Sequence, residues 1–161
     1  MSVRISSRAD ITLEAVRRVA WEGDGVDLAP EALQRMDEMH ASFMALVAAR
    51  LAEDPGALIY GTTTAPGDGA AVALTPEAQA RRPTRLWTAH TFGEPLPDRV
   101  VRAILLARLA NFVEGNAAVR GEVATAVTEM LDVPLPTVPA EGNGGAGEIL
   151  ALGGDLSLIH I

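Results

Sequence analysis

Apolar residues recur at steps of three and four along much of the chain, which is the spacing of one face of an α-helix. The clearest stripe starts after Pro30 and stops before Pro55-Gly56. It consists of Leu33, Met36, His40, Phe43, Val47 and Leu51. This stripe predicts one long helix over residues 30–51.

The same periodicity predicts three further helices, over residues 13–21, 97–113 and 120–131. Thr12 is placed as the N-cap of the first, because its hydroxyl can accept from a free N–H of the opening turn. Gly115 is placed as the C-terminal glycine of the second. We therefore predict a mainly α protein, and we expect the apolar faces of residues 33–51 and 97–113 to need partners that this chain does not supply.

Strand signals are limited to two short apolar runs, at residues 57–60 and 70–74, too few for a sheet-based domain. Three segments break the helical pattern and are rich in glycine, proline or threonine: 60–69, 84–97 and 134–147. Loops on a rigid scaffold are the usual carriers of function, so candidate chemistry is expected there.

Composition narrows the function classes. The chain has 161 residues, 48% of them hydrophobic, which fits one folded domain. It has no cysteine and only three histidines, so we expect no metal centre. The net charge of −8 disfavours nucleic acid as a partner. With no long apolar run and a polar N-terminus, we predict a cytoplasmic protein without a membrane span.

The segment Gly142-Asn-Gly-Gly-Ala-Gly147 matches the dinucleotide pattern G-x-G-x-x-G. That pattern binds pyrophosphate only where a buried strand enters the loop and a helix leaves it. Pro134, Pro136 and Pro139 precede the loop and oppose a central strand, and nothing upstream predicts a parallel βαβ unit. A nucleotide site is therefore the weakest candidate, and a flexible glycine connection is the plainer interpretation.

Several motifs follow one another along the chain: Tyr60-Gly61 with a Thr-rich stretch, Gly93-Glu-Pro-Leu-Pro97, residues 101–109, Gly115, Val119-Arg120, Pro136-Thr-Val-Pro139 and residues 142–151. Their order resembles the N-terminal region of the aromatic amino acid lyases, namely histidine, phenylalanine and tyrosine ammonia-lyases and related aminomutases. The resemblance extends from about Ile11 to Leu152.

This resemblance implies the N-terminal part of a helical lyase fold with glycine-rich active-site loops, truncated before the central helical bundle. The family removes ammonia from an α-amino acid, as in histidine catabolism, to give an acrylate, and its active sites are shared among the subunits of a homotetramer. By the resemblance, Tyr60 takes the position of the catalytic base. Thr63 stands where the family has an asparagine and is a substrate-binding candidate. His90 matches a family histidine across a two-residue deletion, and in the ungapped register Thr88 takes that place.

The family's electrophile, methylidene-imidazolone, forms from an internal Ala-Ser-Gly. Ala146 and Gly147 fall on that motif, and Gly147 replaces the serine in the ungapped register. In the register with one deletion, the serine is missing and Glu148 replaces the family's aspartate. We therefore expect no such prosthetic group in this chain and no activity from the chain alone. The alternative is a non-catalytic pseudoenzyme or helical interaction module.

Each candidate also has a structural interpretation. Tyr60, the only tyrosine of the chain, could be a packing residue at a loop edge, and His90 a structural histidine. His40 lies on the apolar stripe and is expected to serve helix packing. Arg102 and Arg108 could be surface or interface charges.

The last six residues, Leu156-Ser-Leu-Ile-His-Ile161, are what the transposon mosaic end used in sequencing libraries (CTG TCT CTT ATA CAC ATC) encodes. We therefore predict a native lyase-like segment over residues 1–155 and a foreign segment over 156–161. His160 then has no function.

Overall fold

The computed structural model describes residues 1–65, 67–75, 77–78 and 91–142. Contacts divide the chain into two compact units. The first comprises Met1–His40 and Leu86–Ile161, and the second comprises Ala41–Arg85. Each unit is described by itself.

The four predicted helices are confirmed, and the described part of the chain is mainly α. They are α1 (Leu13–Ala20), α2 (Pro30–Glu53), α3 (Asp98–Phe112) and α4 (Gly121–Glu129). Thr12 caps α1 as predicted, since its Oγ1 accepts from the N–H of Ala15 at 3.2 Å. The periodicity was sufficient here because each helix buries one apolar face.

Short strands form two sheets that the sequence did not predict. In the first, β1 (Ser2–Ile5) pairs in parallel with β2 (Gly25–Leu28). In the second, β3 (Thr91–Pro95) pairs antiparallel with β4 (Pro139–Gly142). Strands of four or five residues are too short to establish a period of two, so their pairing is decided by tertiary contacts.

Neither of the two short apolar runs forms a strand. Residues 57–60 lead into a turn. Residues 70–74 begin inside a 3-10 helix, Gly67–Ala71, and include Ala73, which forms an isolated bridge to Thr64. The expectation that no parallel βαβ unit precedes the glycine loop is also wrong, because β1, α1 and β2 form a small one. That unit lies at the start of the chain and does not lead into the glycine loop.

The core of the first unit is built around α3. Val101, Leu105, Leu106, Leu109 and Phe112 are buried. Residues of β1, α1, α2 and α4 belong to the same apolar cluster. The expectation that residues 97–113 need an external partner is therefore wrong, since this chain covers that face itself. The stripe of α2 contributes Met36 to the core.

Arg102, on α3, forms hydrogen bonds with the backbone of three other chain segments. Its guanidinium donates to three carbonyl oxygens: Val19 from Nε at 2.6 Å, Leu131 from Nη1 at 2.9 Å, and Asp24 from Nη2 at 2.7 Å. Carbonyls at helix ends lack intrahelical partners, so a planar group with several fixed donors can satisfy them. Arg102 is therefore a structural residue rather than a free surface charge.

The connection from α3 to α4 is held by α2. Gly115 has φ +75°, a conformation that favours glycine. His40 lies with Nδ1 2.7 Å from the carbonyl oxygen of Ala118, and Asp37 Oδ1 accepts from the N–H of Gly121 at 2.7 Å. His40 thus has the structural role that its place on the stripe predicted.

Candidate functional site

Tyr60 lies in a tight turn of the second unit. The carbonyl oxygen of Ile59 accepts from the N–H groups of Thr62 and Thr63, both at 2.9 Å. Gly61, the residue after Tyr60, has φ +67°, which a type II turn requires at this position. The Tyr60-Gly61 pair is therefore explained locally, because the turn needs glycine directly after the tyrosine. Tyr60 is 67% exposed.

Thr63 closes the same turn from inside. Its hydroxyl donates to the carbonyl oxygen of Ala57 at 2.8 Å and accepts from the N–H of Ile59 at 2.8 Å. The residue is 3% exposed. The structure therefore brings Thr63 and Tyr60 into one turn, with Thr63 buried and Tyr60 on the surface.

Thr64, which the sequence did not single out, is the next residue and behaves differently. It is 1% exposed, and among the described residues its Oγ1 has no hydrogen-bond partner. Its backbone forms the bridge to Ala73. A buried hydroxyl without a partner costs free energy, so the two neighbouring threonines have opposite energetic roles. The only sequence signal was the run of three threonines after Gly61.

The described part of the second candidate segment, residues 91–97, lies in the first unit, where β3 pairs with β4. Gly93 has φ +89°, and a Cβ placed there would lie 3.1 Å from Oε1 of Glu141. The Leu96 N–H donates to the Val138 carbonyl oxygen at 2.7 Å and extends this pairing. Glycine at position 93 therefore allows Glu141 to approach the neighbouring strand closely.

The strand that leads into the glycine loop does not have the form that a dinucleotide site needs. β4 is antiparallel, it begins with Pro139, and Ala140 and Glu141 are exposed. The dinucleotide pattern instead requires a buried parallel strand before the loop. The candidates His90, Ala146 and Gly147 lie outside the described residues.

Several carboxyl groups have lowered pKa values, and structural hydrogen bonds explain them. The pKa of Asp24 is lowered chiefly by its hydrogen bond with Arg18, and the pKa of Asp10 chiefly by the N–H of Ser6. The pKa of Glu77 is lowered chiefly by its own N–H. Groups shifted in this direction are ionised at neutral pH and stabilise local structure.

Two kinds of site are absent from the described part of the chain. Over residues 1–65, 67–75, 77–78 and 91–142, no three His, Cys, Asp or Glu side chains are grouped to hold a metal ion. Among those residues, no helix combines the length and the apolar character that crossing a membrane requires.

With this geometry established, comparison with known proteins decides the family. The model of the aromatic amino acid lyase family matches residues 11–156. The chain belongs to the aromatic amino acid lyase family. This confirms the resemblance carried by the Tyr60 turn, helix α3 and the glycine-rich segment.

Individual relatives in the aromatic amino acid lyase family agree with this assignment. A histidine ammonia-lyase of Bacillus cereus (strain ZK / E33L) is 30% identical over 152 residues, which cover 92% of this chain and 29% of that protein. Among solved structures, the tyrosine aminomutase of Streptomyces globisporus has a TM-score of 0.72 at 25% identity, covering 89% of this chain and 26% of that one. The phenylalanine aminomutase of Pantoea agglomerans has a TM-score of 0.76 at 25% identity, covering 92% and 29%.

The lyase-family chain therefore spans less than a third of the length of these relatives. The catalytic and binding roles of Tyr60, Thr63, His90, Ala146 and Gly147 stay predictions.

Proposed function

We propose that this chain is the N-terminal segment of a histidine-type ammonia-lyase polypeptide, one that removes ammonia from an aromatic α-amino acid, and that the segment is inactive alone. The observation that carries the proposal is the Tyr60 turn. The turn presents the chain's only tyrosine on a hydrogen-bonded scaffold, in a chain that belongs to the lyase family. The proposed reaction, removal of ammonia, is supported by the name of the Bacillus cereus relative, a histidine ammonia-lyase.

In this proposal Tyr60 is the base that receives the β-proton of the substrate. A base must come within hydrogen-bond reach of the proton that it removes, and it must be held there. Tyr60 is 67% exposed while its turn is bonded internally, so the ring can meet a substrate without a change in the backbone that carries it.

The family's methylidene-imidazolone group does not fit the residues of this chain. Its formation needs a hydroxyl side chain to eliminate, and residues 142–153 contain no serine, threonine or cysteine. Gly142, the last described residue, ends β4, and the motif positions Ala146 and Gly147 follow it in sequence. No step of a reaction is therefore assigned to this group in this chain. The missing hydroxyl is the reason for proposing inactivity.

Intact mass and product absorbance test the proposal together. Cyclisation and dehydration of an Ala-Ser-Gly sequence release water, so the purified chain should show the mass of its unmodified sequence. Incubation with histidine, phenylalanine or tyrosine should give no rise in ultraviolet absorbance, although a conjugated acrylate absorbs strongly. The matched variant combines Gly147→Ser with Glu148→Gly, which restores an Ala-Ser-Gly sequence after Gly145. A chain that lost water or formed an acrylate without this change would contradict the proposal.

A non-catalytic helical interaction module is the second candidate, and the exposed apolar side chains of the second unit favour it. Leu46 on α2 is 67% exposed and Met44 is 44% exposed. Apolar side chains left in water forfeit the free energy of burial, so a partner that covered them would stabilise this unit. In this candidate the parent polypeptide is a homo-oligomer that binds no amino acid. Sedimentation of the parent, with Leu46→Glu as the comparison, would show an oligomer that this variant weakens.

A further inference from the structure

We propose that Thr63 is a positioning residue: its hydroxyl fixes the direction of Tyr60 from inside the turn and does not contact substrate. The inference rests on the proposed role of Tyr60 as the base. It assigns Thr63 a role different from the substrate-binding one that the family position suggests.

The contacts of Thr63 surround the residue before Tyr60. The N–H of Ile59 donates to Thr63 Oγ1 at 2.8 Å, and the carbonyl oxygen of Ile59 accepts from the N–H of Thr63 at 2.9 Å. The same hydroxyl donates to Ala57 at 2.8 Å. Both backbone groups of Ile59 are therefore held by one residue, and the peptide that leads into Tyr60 is fixed.

Burial excludes the substrate-binding alternative for this hydroxyl. A threonine hydroxyl has one proton to donate, and here it is donated to Ala57. With Thr63 3% exposed and Tyr60 67% exposed, only the tyrosine faces outward. A carboxylate of an amino acid would find no donor at Thr63 unless the turn opened.

The chain offers its own matched control. Thr64 is also a buried threonine, but in the part of the chain that the structure describes its hydroxyl has no partner. Thr63→Val and Thr64→Val remove the same group from adjacent positions, and only the first removes hydrogen bonds. Thr63→Ser is the conservative variant, because it keeps the hydroxyl and loses only the methyl group.

Nuclear magnetic resonance of the full 161-residue chain tests the proposal, because ring-labelled tyrosine reports Tyr60 alone. In Thr63→Val the ring signal should move toward that of the denatured chain. Amide exchange at Ile59 should become about tenfold faster, since its acceptor is lost. Thr63→Ser and Thr64→Val should keep the wild-type ring signal and exchange rate. Val16, which bonds within α1, should exchange at the wild-type rate in every variant.

Wild-type signals for Tyr60 and Ile59 in Thr63→Val would overturn the proposal, as would equal effects of Thr63→Ser and Thr63→Val. If Thr63→Val fails to fold, the amide exchange of Ile59 in Thr63→Ser decides. Exchange at the wild-type rate would support the proposal, and tenfold faster exchange would overturn it. No substrate enters these measurements. If the parent polypeptide had no ammonia-lyase activity, the proposed function would be wrong, but the result on Thr63 would still hold.

Discussion

Replacing Arg102 by methionine should destabilise the first unit, because one side chain holds three chain segments. Methionine keeps most of the apolar stem and removes every donor. The carbonyl oxygens of Val19, Asp24 and Leu131 would each lose their guanidinium partner.

The expected loss follows from these three bonds. Each carbonyl left without a donor costs about 1 kcal/mol, and bonds to a charged donor are worth somewhat more. Arg102→Met should therefore lower the free energy of unfolding by about 3–5 kcal/mol, against about 5–15 kcal/mol for a whole domain. Arg102→Lys should lose roughly half as much, since its single nitrogen cannot reach all three oxygens in the directions that Nε, Nη1 and Nη2 provide.

Urea unfolding followed by circular dichroism measures the difference, with Arg99→Met as the control. Arg99 is an exposed arginine near the start of the same helix, α3. The control should stay within about 0.5 kcal/mol of the original chain. If Arg102→Met also stayed within that range, or if Arg102→Lys matched the original chain, the assigned role of the three bonds would be refuted.

Three further predictions concern single contacts. Thr64→Val should leave the free energy of unfolding unchanged or raise it by about 1 kcal/mol, because it removes a buried hydroxyl that has no partner among the described residues. A clear fall in this free energy, measured by urea unfolding, would show that the hydroxyl has a partner. Gly115→Ala should lower the free energy of unfolding by about 1–3 kcal/mol, which is more than Gly23→Ala should lower it. Both glycines have φ +75°, but only at Gly115 would the new Cβ lie too close to another residue, 2.9 Å from Met39 Cβ. Equal losses of stability in the two variants would contradict this reasoning. The pKa of Asp24 is lowered in the folded chain, so its contribution to stability is complete above the ordinary pKa of 3.8 and is lost as the pH falls through the lower folded pKa. Asp24→Asn should therefore flatten the acid side of a plot of stability against pH. An unchanged plot would contradict this prediction.

The helical part of the fold could be predicted from the sequence because each helix carries its own evidence. The stripe of α2 contains six residues at steps of three and four, and Thr12 and Pro97 mark helix starts through local chemistry. The sheets could not be predicted, since β1 and β4 have four residues each and acquire their partners from distant parts of the chain. A short strand has no local signal comparable with three turns of helix.

The sequence named Tyr60 and Thr63 as candidates, and their roles in a site stay predictions. The order of motifs located Tyr60 and the family match over residues 11–156 confirmed the family. The sequence could not show that Thr63 points into its own turn, because a threonine after a glycine fits a ligand contact and an internal hydrogen bond equally well.

The sequence by itself determined where the helices lie, which family the chain resembles and that no hydroxyl stands in the segment 142–153. These properties depend on residue type and spacing along the chain. Only the tertiary structure decided that Arg102 joins three segments, that Asp37 caps α4 and that Thr63 faces inward while Tyr60 faces outward. Those roles depend on which donors meet which acceptors across long sequence separations or within a closed turn, and the folded backbone sets that geometry.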